Sequence, residues 1–290
     1  MSNHILITGG TGYLGSHIIK ELLSKNYEVS VLIREKSSTK RLDSCAGKLK
    51  FIDITNLEAF FVNRKVDGII HIATNYGRKG ESVLDVVNSN LYFPIRLLEF
   101  AIQNKVDYFI NTDTSLPKNI NPYSLSKAHF RDWLSIIPSE MKIINVIPEY
   151  FYGPNDDETK FITGMLHKFF RNEESIDLSE GIQKRDFIYI DDVVSAYMCL
   201  IENLNKIKHN TNIQLGSALT ISLKNLVLLL KEMSCNRKTV LNFGKIPMRK
   251  DDVLESKADV SYLLQLGWKP KISLEDGIRK IIELENLENK

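Results

Sequence analysis

A glycine-rich turn held between an apolar strand pattern and a helix pattern constrains this chain more than any other feature: HILITGGTGYLGSH, residues 4 to 17. Gly9, Gly12 and Gly15 fall at G-x-x-G-x-x-G spacing, directly after the strand and at the start of the helix. Gly9 permits the tight turn, Gly12 lets the backbone approach a pyrophosphate, and Gly15 allows the helix to pack closely. Tyr13 and Leu14 complete a cofactor-binding turn at the positive end of the helix. The alternative reading is a tight turn that serves structure alone. Either way, a strand leading through such a turn into a helix commits the first 30 residues to a βαβ unit.

The rest of the first half repeats that alternation. Strand patterns at 4 to 9, 28 to 33, 49 to 53, 68 to 73, 107 to 112 and 142 to 147 are separated by helix patterns near 13 to 25, 57 to 64, 81 to 104 and 122 to 137. Short, nearly all-apolar strands are buried on both faces, so helices should cover both sides of a parallel sheet. The fold class is therefore α/β: a doubly wound (Rossmann) sheet over 1 to 149, followed by a smaller C-terminal substrate-binding lobe over 150 to 290. Within the latter, FIYIDDV at 187 to 193 and NIQLG at 212 to 216 read as a return to the main sheet, leaving 150 to 186 and 217 to 290 as the lobe proper.

Composition narrows the function classes. Thirty-eight Lys and Arg against 36 Asp and Glu leave a net charge of +2, which gives no electrostatic ground for a nucleic-acid partner. Cys45, Cys199 and Cys235 are odd in number, widely spaced and lack a C-x-x-C pair, so neither a disulfide framework nor a metal centre is expected. No signal-peptide pattern and no apolar run near the roughly 20 residues of a membrane span is present, and a cytoplasmic protein is the expectation.

The end of the second strand selects the dinucleotide, because an acidic residue there suits a ribose diol and basic residues suit a 2′-phosphate. The sequence is VLIREKSSTKR. Arg34, Lys36 and Ser37, with Arg41 beyond, favour NADP(H), while Glu35 keeps NAD(H) open. Asp53, after the third strand, can accept from an adenine amino group or simply cap a turn.

Tyr123 and Lys127 stand four apart in NINPYSLSKAHF, on one face of a helix that Asn121 caps and Pro122 begins. In a chain with 11 tyrosines that spacing selects little by itself; position decides. The pair follows NTDTS at the end of the fifth strand, where Thr114 can face the same cleft. An ordinary Tyr titrates near ~10, and an ammonium beside it favours the phenolate, so Tyr123 could relay a proton at neutral pH. The Thr114 hydroxyl would bind the same carbonyl oxygen.

These residues, with the Asp53-Ile54 pair, HIAT at 71 to 74, YGP at 152 to 154, KRDFIYIDDV at 184 to 193, Arg249 and Asp252 in R-x-x-D spacing, and LGWKP at 266 to 270, resemble the extended short-chain dehydrogenase/reductases of the sugar-nucleotide epimerase/dehydratase family. The resemblance spans nearly the whole chain. It implies catalytic roles for Thr114, Tyr123 and Lys127, cofactor contacts from Ile54 and Ala73, and substrate contacts from Thr74, Tyr76, Lys160, Arg185 and Arg249, the two arginines on the diphosphate of a nucleotide-linked sugar. It also implies a homodimer built on the helices near 81 to 104 and 122 to 137.

Within the family, IIHIATNYGRK, FINTD and YGPNDDETKFI look most like the CDP-abequose and CDP-paratose synthase type, NADPH-dependent 4-ketoreductases that make deoxysugar nucleotides for surface polysaccharides such as lipopolysaccharide O-antigen. Two departures stand out. Ile147 replaces an Arg common before the YGP turn, and Ser115 and Leu116 stand where 4,6-dehydratases place an Asp-Glu pair; a register slipped by two would instead align Thr112 and Asp113 with the dehydratase Thr-Asp. Dehydration needs that extra acid and base. The expectation is therefore reduction of the C4 ketone of a nucleoside-diphosphate 4-keto-6-deoxyhexose, against an NAD-dependent C4 epimerase or, from another class, a non-catalytic dinucleotide-binding protein.

Overall fold

A computed structural model describes residues 4–249 and 252–285. The chain divides into two compact units: residues 1–147 with 194–213, and residues 148–193 with 214–290.

In the first unit, strands β1 (His4–Thr8), β2 (Glu28–Ile33), β3 (Leu49–Asp53), β4 (Gly68–His71), β5 (Tyr108–Thr112) and β6 (Lys142–Pro148) lie within 1 to 2 residues of the sequence patterns at most of their ends. With β10 (Thr211–Leu215) they form a seven-stranded sheet in the order β10-β6-β5-β4-β1-β2-β3, and the neighbouring pairs among β1 to β6 are parallel. The chain runs outward from β1 to β3, then crosses back to β4 on the other side of β1. The carboxyl ends of β1 and β4 thus flank the point where strand order reverses, which is where open α/β sheets bind ligands.

Helices α1 (Tyr13–Ser24), α2 (Leu57–Asn63), α3 (Val83–Val87), α4 (Phe93–Gln103) and α5 (Pro122–Ile136) connect these strands. Leu6, Ile69, Leu97, Leu98, Phe109, Phe130 and Ile143 belong to one buried cluster that joins sheet and helices. The pattern near 81 to 104 is not a single regular helix: a π-helical turn at Asn88–Tyr92 separates α3 from α4. A π turn inserts a residue into the hydrogen-bond ladder without disturbing the apolar periodicity from which the helix was read.

In the second unit, β7 (Tyr150–Tyr152), β9 (Lys184–Tyr189), β11 (Thr220–Ser222) and β13 (Glu255–Ser256) form a four-stranded sheet, and β8 (Ser175–Asp177) pairs with β12 (Val240–Asn242). The expectation that FIYIDDV at 187 to 193 rejoins the main sheet is therefore corrected. β9 pairs with β7, β11 and β13, whereas the place beside β6 is taken by β10. From Ile190 the chain enters α7 (Ile190–Glu202), which carries it back to the first unit before β10. The helices α6 (Phe161–Phe170), α8 (Leu223–Met233), α9 (Ser261–Gln265) and α10 (Leu274–Leu284) also belong to this unit. Gly277 lets α10 lie on the aromatic pair of this sheet, since a Cβ there would meet the Tyr152 hydroxyl at 2.3 Å.

Asp186 and Asp192 of the RDFIYIDD motif serve structure. Asp186 accepts from the main-chain N–H groups of Ser217, Ala218 and Ala258 at 2.8, 3.0 and 3.2 Å, and Asp192 accepts from Lys271 and Ile272. Among the described residues, no helix is long and apolar enough to cross a membrane, and no His, Cys, Asp and Glu grouping could hold a metal.

Candidate active site

The glycine turn after β1 is built as its spacing requires. Gly9 has φ +70°, and a Cβ there would come within 2.5 Å of the Ala73 nitrogen, so both the backbone region and the space demand glycine. A Cβ on Gly15 would strike the Gly9 carbonyl oxygen at 2.3 Å. Gly12 differs: a Cβ there would meet only that same oxygen, at 3.2 Å, and would otherwise project into open space. Gly12 is also the N-cap of α1, with no side chain capping the helix and no acid in its first turn. Tyr13, Leu14 and Gly15 follow in that first turn. A bare turn leading into a positive helix end suits a pyrophosphate.

At the end of β2, Arg34 and Lys36 are exposed, and Ser37 closes the turn: its hydroxyl accepts from the Arg34 N–H at 3.0 Å and its own N–H donates to the Arg34 carbonyl at 2.9 Å. The Arg41 guanidinium lies 5.4 Å from the centre of the Tyr13 ring, beside the glycine turn. Burial, with Lys20 and Arg41 adding, lowers the neighbouring His17 to about 4, which leaves that imidazole neutral near pH 7. Asp53 caps the turn holding Ile54, accepting from the Thr55 N–H at 2.8 Å and from its hydroxyl, and these bonds hold its carboxyl below the usual range. The alternative turn-capping role of Asp53 is thus realised. The residues present fit a dinucleotide, with Gly9, Gly12 and Gly15 for its diphosphate and a basic turn at the diol position.

Behind the turn, His71 at the end of β4 is wholly buried among Phe93, Phe109 and Phe130, and burial, with the Lys127 charge adding, pushes it well below its ordinary value. The Thr8 oxygen takes N–H groups from Ile72 and Ala73 at 3.3 and 3.2 Å and lies 2.7 Å from His71 Nδ1. The hydroxyl proton therefore goes to Nδ1, and the neutral ring and the threonine together fix the start of the HIAT loop.

Asn90, buried in the π turn, fixes the rest of that loop. Its Oδ1 accepts from the Asn75 N–H at 2.8 Å and the Thr74 hydroxyl at 3.2 Å, while its Nδ2 donates to the Asn75 carbonyl and to the Ser126 hydroxyl of α5. Sequence reasoning missed both His71 and Asn90 as site supports. A buried Asn inside an apolar helix pattern was the available signal.

The three proposed catalytic residues come together in the first unit. α5 begins with a reciprocal capping box between Asn121 and Ser124 and has Pro122 in its first turn, which sets the helix start and presents Tyr123 and Lys127 from one face. Tyr123 is buried and hydrogen-bonded to the Thr114 hydroxyl. Lys127 is wholly buried, and its Nζ donates to the Thr112 carbonyl at 2.6 Å. Burial lowers Lys127 to about 8, with Asp113 opposing the shift.

Tyr123 departs from the expectation of an easily formed phenolate. Burial, with Tyr76 and Asp113 adding, pushes the phenol far above the ordinary tyrosine value, against the Thr114 hydrogen bond and the Arg78 charge. Desolvation of the anion outweighs the Arg78 charge, the cation that acts on the phenol. The Tyr76 ring lies 4.9 Å from that of Tyr123, with the Arg78 guanidinium 5.3 Å over Tyr76.

Ser115 and Leu116 follow Thr114, and the Leu116 N–H donates to the Thr114 hydroxyl oxygen at 3.2 Å. Thr114, rather than Thr112, meets the tyrosine: the Thr112 hydroxyl bonds Tyr197 of α7 at 2.7 Å. Asp113 is turned into the unit's interior toward Asn145. Ile147 lies near the end of β6.

Lys160, Arg185 and Arg249 belong to the second unit. Lys160 is the N-cap residue of α6. Arg185 is nearly buried and already engaged, donating to Asp252 at 2.5 Å, to the Val253 carbonyl at 2.7 Å and to the Lys184 carbonyl at 2.8 Å. Arg249 is exposed, and its carbonyl accepts from the Asp252 N–H at 3.2 Å. The acid of the R-x-x-D spacing is thus paired with Arg185.

The chain is similar to known proteins along nearly its whole length. The NAD dependent epimerase/dehydratase family matches residues 5–216. A CDP-abequose synthase of Salmonella muenchen is 32% identical over 98% of this chain and 99% of its own, and a dTDP-4-dehydro-6-deoxyglucose reductase of Escherichia coli is 28% identical over 97% of each. The crystal structure of a UDP-glucose 4-epimerase from Thermotoga maritima, with UDP-glucose, superposes with a TM-score of 0.85 at 25% identity, covering 99% of this chain and 100% of that one. The glycine turn and the reversal of strand order accord with this match, and the chain belongs to the NAD dependent epimerase/dehydratase family of extended short-chain dehydrogenase/reductases.

Proposed function

We propose that this protein reduces the C4 ketone of a nucleoside-diphosphate 4-keto-6-deoxyhexose at the expense of NADPH. The observation that carries the reading is the hydrogen-bonded Thr114 and Tyr123 pair, in which burial holds the phenol protonated. Reduction of a ketone needs a proton donor at the carbonyl oxygen, whereas an epimerase that begins by oxidising an alcohol needs a base there.

The dinucleotide, when bound, supplies the hydride. Tyr123 gives its proton to the oxygen as negative charge develops on it. Thr114 donates a hydrogen bond to that same oxygen, and Lys127, one helical turn on from Tyr123, offsets the growing negative charge. Asp113 is no substitute for a dehydratase acid, since its carboxylate is turned inward, and Ser115 and Leu116 offer no acid-base pair. Thr74 and Tyr76 would meet the sugar, Ala73 the nicotinamide side of the cofactor, Ile54 and Asp53 the adenine, and Lys160, Arg185 and Arg249 the nucleotide diphosphate. Arg34, Lys36 and Ser37 would hold a 2′-phosphate. The reductase name of the Escherichia coli relative and the CDP-sugar name of the Salmonella relative support the substrate class.

A homodimer in the cytoplasm completes the proposal. Leu84, Tyr92, Trp133 and Ile136 are exposed apolar residues on α3, the π turn and α5. Apolar side chains on helices shared by one face fit packing against a second copy.

Incubation of purified protein with NADPH and CDP-4-keto-6-deoxyglucose, followed by mass spectrometry of the sugar nucleotide, tests the reading. The expected product has gained two hydrogens and lost its ketone. Unchanged substrate with both the CDP and dTDP forms would refute it.

A further inference from the structure

The end of β5 is fixed by a cluster of buried polar groups that the proposed chemistry does not use. Asp113 lies at its centre, with its side chain fully shielded from solvent. Its Oδ1 accepts from the Thr114 N–H at 2.8 Å. Its Oδ2 accepts from Asn145 Nδ2 of β6 at 2.8 Å and faces the Arg131 Nε of α5 at 3.4 Å. Asn145 is held in turn by Asn111, which donates to its Oδ1 at 2.6 Å, and it donates to Asn212 Oδ1 at 2.8 Å. The Asp113 N–H donates to the Val146 carbonyl at 2.7 Å. Every group aimed at the Asp113 oxygens is a donor, which is the environment of an ionised carboxylate.

We propose that Asp113 is a positioning residue of the site: its carboxylate fixes the main chain that presents Thr114, and it supplies the negative charge that allows Lys127 to remain an ammonium while wholly buried. A buried cation needs a counter-charge as well as hydrogen bonds. Lys127 has one hydrogen bond, to the carbonyl of the peptide that joins Thr112 to Asp113. The groups around it are Asp113 from the end of β5, His71 from β4, and Tyr123 and Arg131 one turn away in either direction on α5. His71 is neutral, Tyr123 is protonated and Arg131 is a cation, which leaves Asp113 as the anion of this group. The same charge disfavours a phenolate at Tyr123. One carboxylate thereby biases both members of the pair toward their proton-bearing forms, the state from which a ketone is reduced. That kinetic consequence rests on the reductase reading; the electrostatic role does not.

The test is a titration of Lys127 in the full-length protein labelled with [¹³Cε]lysine, its signal assigned by loss in Lys127→Arg. Wild type should titrate near pH 8. Asp113→Asn should move that midpoint down by roughly one to three units, the usual effect of a charge within a few ångströms. The exchange Asp113→Asn with Asn145→Asp keeps one acid and one amide in the cluster but shifts the charge to β6. It should recover the melting temperature while leaving the Lys127 midpoint below wild type. In parallel, the alkaline limb of kcat/KM with NADPH and CDP-4-keto-6-deoxyglucose should move with the NMR midpoint, whereas a purely structural role would lower kcat and leave the limb in place. An unmoved Lys127 midpoint in a folded variant overturns the proposal. So does failure of both variants to fold, which assigns the carboxylate to stability. Absence of turnover in wild type sinks the reductase reading, and the Lys127 titration still decides the role of Asp113.

Discussion

At Tyr123 two opposing effects meet, and their magnitudes decide the chemistry. A cation beside the phenol would favour a phenolate, but burial, with Tyr76 and Asp113 adding, outweighs the charge of Arg78. The sequence carries the pair's spacing but not the protonation state, because desolvation depends on Tyr76 and the loop that covers the phenol. Tyr123→Phe removes the proton donor alone, and kcat should fall by about 10²- to 10⁴-fold with NADPH affinity kept, as read by steady-state kinetics and fluorescence titration. Thr114→Ala should cost about 10²-fold in kcat. Lys127 acts as an ammonium, so kcat/KM should be highest below its value of about 8 and fall tenfold per unit above it as the proton leaves. A pH profile rising above pH 8 would contradict this assignment.

The elements that carry the site were mostly legible, and where they were not, the reasons are physical. Largely apolar strands of five or six residues made β1, β2 and β5 legible, because strands buried on both faces favour such a composition. β9 has the same apolar character, and nothing local in FIYI distinguishes a strand of the main sheet from one of the second; the choice of partner is made by residues 150 to 152, 220 to 222 and 255 to 256. The π turn was invisible for a related reason, as periodicity reports the buried face and not the hydrogen-bond ladder.

Glycines were readable by spacing, yet they do different work, and substitution should separate them. Gly9→Ala forces a side chain into both an unfavourable φ and the Ala73 backbone, and should cost at least about 2 kcal/mol in thermal or urea unfolding. Gly12→Ala should leave stability within about 1 kcal/mol of wild type and instead weaken NADPH binding, since its Cβ points into the space assigned to the diphosphate. Asn90→Ala, which orphans the Asn75 main-chain groups, should cost about 1–3 kcal/mol and raise KM for the sugar nucleotide.

For the whole molecule, the glycine turn with Thr114, Tyr123 and Lys127 falls in one unit, and Lys160, Arg185 and Arg249 fall in the other. The engagement of Arg185 by Asp252 was not legible, because R-x-x-D spacing does not say which arginine the acid will take. A dimer through α3 and α5 should appear by light scattering, and Trp133→Glu combined with Ile136→Glu should leave a folded monomer. Isotope transfer reads hydride delivery to C4. With NADPH carrying deuterium at the transferable C4 position of the nicotinamide, and CDP-4-keto-6-deoxyglucose as acceptor, one deuterium should appear at sugar C4 for each NADPH oxidised, with NADH a poorer donor. Inversion of a 4-hydroxy sugar nucleotide with no cofactor consumed and no deuterium incorporated would contradict it and establish an epimerase.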